Sequence, residues 1–240
     1  LLLGWARQDA KESGTKTVFS PFVAYGKGSY DSYLDDGTHG SGKLSYLGVG
    51  VIAKQTQTSG LWIEGAVQGG RSKSDYAGSI DARNTTTYDS STPYFGAQIG
   101  IGKDVRMKEG EKLTGYARYF FTHTGGSNTD LVTRGKSETY TFDGVNSNRV
   151  RLGMKYSHRD SADSEVYAGL AWEYELSGKA SASYRGFETP SPSLRGGSAM
   201  LELGYRFAPK DSRLSYQLHL TGWQGKREGM TGGAQLNYAF

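Results

Sequence analysis

Four histidines and one acidic pair are the residues of this 240-residue chain that could act as general bases or metal ligands. They are His39, His123, His158, His219 and the pair Asp35 and Asp36. No histidine forms a His-x-Ser pairing within an alternating, strand-like segment, and the acidic pair lies in a glycine-containing stretch typical of a solvated turn. Because cysteine is absent, thiol catalysis and zinc–thiolate sites are excluded. We therefore predict no enzymatic activity, no metal site and no cofactor, with an acyl hydrolase as the least favoured function.

A second set of chemically active residues consists of charges of both signs that recur at alternate positions of otherwise apolar segments. These residues are Glu64, Arg118, Arg149, Arg151, Lys155, Glu173, Glu202 and Arg206. Such a set could line a hydrated interior, or its members could pair with one another and rigidify the fold. Which of these two roles applies depends on the secondary structure that positions the charged residues.

The amino-acid composition limits which kinds of secondary structure can carry these charges. The chain is only 36% hydrophobic, its mean hydropathy is -0.58, and it contains 35 glycines and 30 aromatic residues (17 Tyr, 9 Phe and 4 Trp). No apolar run approaches the roughly 18 residues of a transmembrane helix, so a helical membrane protein is excluded. The net charge of +4 is spread along the chain without a basic block, which gives no support to nucleic-acid binding.

Alternation with a period of two residues is the dominant pattern, and it predicts β-strands. Near the C-terminus, for example, Leu214, Tyr216, Leu218 and Leu220 alternate with polar residues. The pattern predicts twelve strands, at 17–28, 43–55, 59–71, 93–107, 113–122, 136–142, 148–156, 165–174, 179–184, 197–207, 213–221 and 229–240. Helical periodicity is absent, with residues 1–13 as the one segment where a helix is a candidate.

The connections between these strands alternate in length. Long polar connections, such as 29–42, 73–92 and 123–135, follow the odd-numbered strands, and tight turns follow most even-numbered ones. All long loops would then lie at one end of the sheet and all turns at the other. Outer-membrane β-barrels have this layout, and about 9–11 residues per strand suffice to span the membrane obliquely.

The two faces of the predicted strands support a membrane barrel over a soluble one. One face is almost continuously apolar, with aromatic residues at strand ends, and the other carries the charges and many glycines. A soluble barrel or sandwich would point its apolar face inward. We therefore predict an all-β fold: a 12-stranded antiparallel transmembrane β-barrel with an apolar exterior, a charged interior and a short N-terminal lumen segment for which a helix is a candidate.

The C-terminal residues complete an apolar face with an aromatic side chain. Leu236, Tyr238 and Phe240 share this face, and such a terminal strand is a candidate assembly signal for the barrel-assembly machinery. Strand capture of this kind would use backbone hydrogen bonds for affinity and alternate side chains for specificity. Phe240 is also compatible with a simple place in an interfacial aromatic girdle.

In addition, several short motifs occur in a particular order along nearly the whole chain. They are Trp-Ala-Arg at 5–7, Ala-Tyr-Gly at 24–26, Leu-Trp-Ile-Glu-Gly at 61–65, Gln-Gly-Gly-Arg at 68–71 and Arg-Val-Arg-Leu-Gly at 149–153. Together with the strand count and Phe240, they make the sequence resemble the C-terminal translocator domain of autotransporters (type V secretion).

The resemblance implies that residues 15–240 form an outer-membrane translocator that supports export of its own N-terminal passenger to the bacterial cell surface. Residues 1–14 would be a linker or pore plug leading from that passenger, and the charged set would contact the passenger in the lumen. A substrate-specific, porin-like channel is the alternative function. The other partners expected are outer-membrane lipid and the barrel-assembly machinery. The domain is expected to be a monomer. Its long loops would lie outside the cell, and its short turns and C-terminus in the periplasm.

Overall fold

A computed structural model describes residues 1–33, 39–81, 84–189 and 191–239. These residues form one antiparallel sheet that curls around an interior, and among them there is no helix long and apolar enough to cross a membrane. The strands are β1 (Leu2–Gly4), β2 (Arg7–Ala10), β3 (Lys16–Tyr33), β4 (His39–Thr56), β5 (Leu61–Asp81), β6 (Asn84–Arg106), β7 (Glu111–Thr124), β8 (Ser127–Thr133), β9 (Lys136–Phe142), β10 (Val145–Arg159), β11 (Ser164–Glu175), β12 (Ala182–Tyr184), β13 (Phe187–Glu188), β14 (Gly196–Phe207), β15 (Leu214–Gly225) and β16 (Gly229–Tyr238).

The sheet runs in the order β1/β2, β3, β4, β5, β6, β7, β10, β11, β14, β15, β16, and every neighbouring pair is antiparallel. Long and short connections alternate, and most of them lie at the end of the sheet that the sequence predicts. The exceptions are 157–164, which lies with the tight turns, and 143–147 and 175–178, which lie with the long connections, because the predicted strands 136–142 and 179–184 do not cross the wall. The end of the sheet with the β3–β4, β5–β6, β7–β10, β11–β14 and β15–β16 connections is called the loop end here, and the opposite end is the turn end. At the turn end, Gly60 and Gly110 have φ values of 83° and 78°, a backbone conformation that suits glycine in a tight turn.

Two of the twelve predicted strands lie outside the wall of the sheet, so ten of the predictions are confirmed as wall strands. The segment 136–142 is β9, which pairs with β8 in a hairpin within the β7–β10 connection. The segment 179–184 contains only the short β12, which pairs with β9 and β13. Seven residues alternate well enough to predict a strand but are fewer than the about 9–11 that a membrane crossing needs. The two-residue turn Arg134–Gly135, with positive φ at both residues, instead folds β9 back on β8.

The N-terminal segment is extended rather than helical. Leu2 lies opposite Ala24 and Ala10 lies opposite Lys16, so β1 and β2 form the edge of the sheet next to β3. The N-terminal amine of Leu1 also donates a hydrogen bond to the carbonyl oxygen of Tyr25, at 2.6 Å. The candidate helix is therefore wrong for these residues. The segment has no helical apolar stripe and no cap, whereas the edge of β3 offers unpaired backbone groups to any extended chain beside it.

The two faces of the wall differ in the way that the alternation predicts. Apolar side chains on the convex face remain exposed, including Leu152 at 57% and Leu170 at 65%. On the same strand as Leu170, Tyr167 and Glu173 point to the interior and are only 7% and 3% exposed. A water-soluble sheet has the reverse arrangement, with apolar residues covered and charges outside.

Candidate functional site

The interior carries a row of five charged residues and one glycine at one level of the hydrogen-bonding register. Each residue of the row lies opposite the next on a neighbouring strand, from β4 through β5, β6, β7 and β10 to β11. We call this set the charged row. Its members are Lys54, Glu64, Gly100, Arg118, Arg151 and Glu173.

A glycine in the row allows two charges to meet across an intervening strand. Gly100 on β6 stands between Glu64 on β5 and Arg118 on β7. A Cβ atom at Gly100 would lie only 3.0 Å from the Cγ atoms of both neighbours, so the position has little room for a side chain. Across it, Nε of Arg118 donates a hydrogen bond to Oε1 of Glu64 at 2.7 Å. Glycine in this strand thus permits close side-chain approach.

Glu173 is the centre of a second, larger cluster. Arg151 donates two hydrogen bonds to Oε2 of Glu173, from Nε at 2.9 Å and from Nη2 at 2.6 Å. Nη1 of Arg149 lies 3.4 Å and Nη1 of Arg227 lies 3.2 Å from Oε1 of the same carboxylate. The side chain of Glu173 is only 3% exposed, so the three guanidinium groups replace most of its water.

Glu175 extends this cluster toward the loop end. Its carboxylate accepts hydrogen bonds from the hydroxyl of Ser147 and from the backbone N–H of Asn148, the latter at 2.8 Å. Nε of Arg149 lies 3.8 Å from Oε2 of Glu175. Arg149 therefore stands between two acidic residues, and the cluster holds β10 and β11 together near the loop end.

Aromatic rings pack against several of the positively charged side chains. The guanidinium carbons of Arg149 and Arg151 lie 5.3 and 4.9 Å from the ring centre of Phe120. On the other side of the interior, Nζ of Lys54 lies 4.4 Å from the ring centre of Trp62, which is 3% exposed. Cations at these distances are attracted to the faces of the rings. At these two places the cations of the interior therefore lie against aromatic rings.

The structure places the eight residues of the predicted charged set on the interior side of the wall, but it brings only five of them into ion pairs that we can describe. Glu64 pairs with Arg118, and Arg149 and Arg151 pair with Glu173. The other three residues lie nearer the turn end: Lys155 stands 4.9 Å from the ring centre of Tyr167, Glu202 is half-buried, and Arg206 is exposed.

Three members of the site were not predicted from the sequence. Lys54 stands opposite Glu64, and a count of the register across the tight β4–β5 turn could have found it. Glu175 continues the alternation from Glu173 by two positions. Arg227 lies in the connection between β15 and β16, and no sequence pattern places that connection beside Glu173.

The histidines lie apart from one another in the described part of the chain. The four histidines lie on four different strands, β4, β7, β10 and β15. Nδ1 of His123 is 2.8 Å from Oδ1 of Asn146, and Nε2 of His39 is 3.4 Å from Oδ1 of Asp31. Within the described part of the chain, no group of three or more His, Cys, Asp or Glu side chains could hold a metal ion. Asp35 and Asp36 lie outside the described residues.

The outward-facing residues of the predicted assembly signal are found on β16. Leu236 is 69% and Tyr238 is 56% exposed, and they lie opposite Tyr216 and Leu214 on β15. Phe240 lies outside the described residues.

Comparison with known proteins gives a consistent result. A family model described as the autotransporter beta-domain matches residues 2–221. No protein among those with curated functions matches the sequence significantly.

Three solved structures of autotransporter domains share the fold, and each is matched over 100% of this chain. The transport unit of AIDA-I from Escherichia coli has a TM-score of 0.70 at 13% identity, with 81% of that chain covered. The beta domain of BrkA from Bordetella has a TM-score of 0.65 at 16% identity, with 99% covered. The translocator domain of NalP from Neisseria meningitidis has a TM-score of 0.64 at 14% identity, with 86% covered.

Proposed function

The chain belongs to the autotransporter beta-domain family, and from this premise we propose how its curled sheet serves export of the passenger. The domain is a bacterial outer-membrane translocator of type V secretion, a transport domain rather than a catalytic one. This assignment favours a translocator over a porin-like channel. The passenger precedes Leu1 and is linked by residues 1–14 to the translocator formed by residues 15–240, with β1 and β2 of the linker paired to the edge of the wall. The family match over residues 2–221 is the observation that carries the proposal.

The proposed path of the passenger is the interior of the sheet. Five of the lining charges pair with one another, as in the contact of Glu64 with Arg118, so their side chains are held against the wall. An extended polypeptide could then exchange hydrogen bonds with these paired charges and with water, and would not bind tightly to any one of the five. The predicted contact set is Glu64, Arg118, Arg149, Arg151, Lys155, Glu173, Glu202 and Arg206.

Closure of the sheet into a twelve-stranded barrel is the second part of the proposal. The described wall has eleven strand positions, counting β1 and β2 together as one. Because every neighbouring pair is antiparallel, the strands at the two edges, β1/β2 and β16, run in the same direction. A further strand that runs the opposite way between them would make every contact antiparallel and satisfy the backbone groups of both edges. We propose that a segment upstream of Leu1 provides it.

The remaining partners follow from the surface of the wall. The exposed apolar face, with residues such as Leu170, contacts outer-membrane lipid. The assembly machinery engages β16, whose backbone edge and outward-facing Leu236 and Tyr238 provide the two elements of strand recognition. With these contacts the domain works as a monomer.

The orientation of the wall is tested by single cysteines, since residues 1–240 contain none. We propose that the loop end is extracellular and the turn end periplasmic. Ser137 on β9 and Lys108 in the β6–β7 turn are exposed residues at the two ends. In intact cells, a membrane-impermeant maleimide should label Ser137→Cys but label Lys108→Cys only after the cells are opened. Labelling of Lys108→Cys alone in intact cells would contradict the proposed orientation.

The passenger path is tested by cross-linking during arrested export. Gln98 points to the interior of β6, and its neighbour Ile99 points outward and is 54% exposed. A reporter passenger with a single cysteine and a folded stop domain is fused upstream of Leu1. The passenger should form a disulfide with Gln98→Cys and not with the matched control Ile99→Cys. If both variants or neither cross-link while the reporter still reaches the cell surface, the passenger does not pass through this interior.

A further inference from the structure

The outer face of β3–β6 changes character toward the loop end. At one level of the register this face carries Val23, Val49 and Phe95, which are all exposed and apolar. Arg71 begins the next level on β5, opposite Leu47. Beyond it, basic residues appear on each of the strands β3, β4 and β5. Lys27, Lys43, Arg71 and Lys73 are all exposed, and we call them the basic patch.

The patch has a defined geometry. Lys27 and Lys73 lie at one level, because each stands opposite Ser45 of β4, and Lys43 lies at the next level toward the loop end. The guanidinium group of Arg71 donates hydrogen bonds to the hydroxyl and the carbonyl oxygen of Ser91, both at 3.4 Å. A cavity of about 390 Å³ on this face is lined by the three lysines together with serines and two aspartates.

The two aspartates reduce the positive charge of the patch without cancelling it. Asp75 and Asp89 lie opposite each other on β5 and β6, at the level of Lys43. Oδ1 of Asp75 accepts a hydrogen bond from the backbone N–H of Lys43 at 2.7 Å. Four cations against two carboxylates leave an excess of positive charge. The excess lies at the edge of the patch that borders the apolar belt, which is the outward level of Val23, Val49 and Phe95.

The opposite rim of the same strands differs. At the turn end, the corresponding outward level carries Thr17, Gln55, Ile63 and Ile101, and Lys103 is the one cation at the level beyond it. Ile63 and Arg71 are eight residues apart on β5, which corresponds to roughly 20 Å along the membrane normal for a strand tilted by about 40°. That is close to the about 25 Å apolar band of outer-membrane barrels. The basic patch therefore lies at one headgroup level, and at the other headgroup level the described outer face of β3–β6 carries the single cation Lys103.

We propose that the basic patch binds the phosphate groups of an anionic lipid in the membrane leaflet at the loop end. Lysine and arginine stems can lie along the apolar belt while their charged ends reach the headgroups. Basic clusters at this position attract anionic lipids, and guanidinium groups match phosphate oxygens in geometry. The lipid would hold one side of the barrel, β3–β5, at a fixed depth. This role is separate from passenger export and does not depend on it.

The proposal is tested by titrating the detergent-purified full chain with diphosphorylated lipid A and measuring the apparent Kd. Each lysine near a lipid surface contributes about 1 kcal/mol, or about fivefold in affinity. The triple variant Lys27→Gln, Lys43→Gln, Lys73→Gln should therefore bind at least about tenfold more weakly. The matched control, Lys11→Gln, Lys103→Gln, Lys108→Gln, removes the same charge at the turn end and should change the affinity less than about twofold.

Two further arms decide the outcome. Equal weakening by both triple variants would overturn the proposal, because it would show a response to net charge alone. Displacement of lipid A by an equal concentration of inorganic phosphate would also overturn it, since the site would then recognise free phosphate. The single variants Lys43→Gln and Lys73→Gln should each weaken binding by an intermediate amount, which separates loss of the site from misfolding of the triple variant.

Discussion

Replacing Glu173 by glutamine is expected to lower the free energy of unfolding by about 3 kcal/mol. The substitution keeps the shape of the side chain but leaves Arg149, Arg151 and Arg227 facing one another around an uncharged amide. Removing one partner of a buried charge cluster costs about 3–5 kcal/mol, and the partial exposure of Arg149 and Arg227 places this cluster at the lower limit. Urea unfolding of the protein in lipid bilayers, followed by the heat-dependent gel shift of folded barrels, measures the change.

A matched control and a double variant make this prediction specific. Arg206→Gln removes a charge from the same face where the side chain is exposed, and should change the free energy by less than about 0.5 kcal/mol. Adding Arg151→Gln to Glu173→Gln should recover part of the lost stability, because one of the repelling charges is then gone. A double variant that is less stable than Glu173→Gln alone would show that repulsion between the arginines is not the cause.

Leu218→Arg is expected to destabilise the folded protein by about 2–4 kcal/mol, the cost of a basic residue near the bilayer midplane on the lipid face of a barrel. Leu218 is 49% exposed on the convex face of β15 and lies midway along the apolar positions between Leu214 and Gly222. No partner inside the membrane would compensate for the charge at that depth.

The neighbouring residue provides the control. Gln217 points to the interior, where its amide donates a hydrogen bond to the hydroxyl of Tyr167 at 2.9 Å. Gln217→Arg should cost about 1 kcal/mol or less, for the loss of that bond in a hydrated interior. Both variants are measured by unfolding in the same bilayers. A larger loss for Gln217→Arg than for Leu218→Arg would mean that the two faces are assigned the wrong way round.

Much of the wall could be predicted because strand periodicity is local. Side chains of a strand point alternately to the two faces, so Leu218 and Gln217 are assigned to opposite faces without knowledge of any other strand. The lengths of most connections then place loops and turns at the correct ends, whereas 143–147, 157–164 and 175–178 lie at the end opposite to the one predicted. These two properties are sufficient for ten wall strands and for the inward direction of Glu64, Arg118 and Glu173.

The predictions that failed concern pairing between segments. The segment that became β9 alternates as well as a wall strand does, but it has only seven residues, and its pairing with β8 and β12 places it outside the wall. Residues 1–13 carry no strong period of either kind, and the free edge of β3 decides their extended conformation. The pairing partners could not be predicted from the segments themselves, because in each case the partner is another part of the chain.

The sequence by itself determined which residues face lipid and which face the interior, because alternation is a property of each strand alone. Only the tertiary structure decided which interior charges meet. Glu64 reaches Arg118 because Gly100 separates them at the same register, and Arg227 reaches Glu173 because the β15–β16 connection ends beside it. Register and loop placement depend on contacts between distant segments, so the ion pairs of the interior follow from the folded sheet and not from the local pattern.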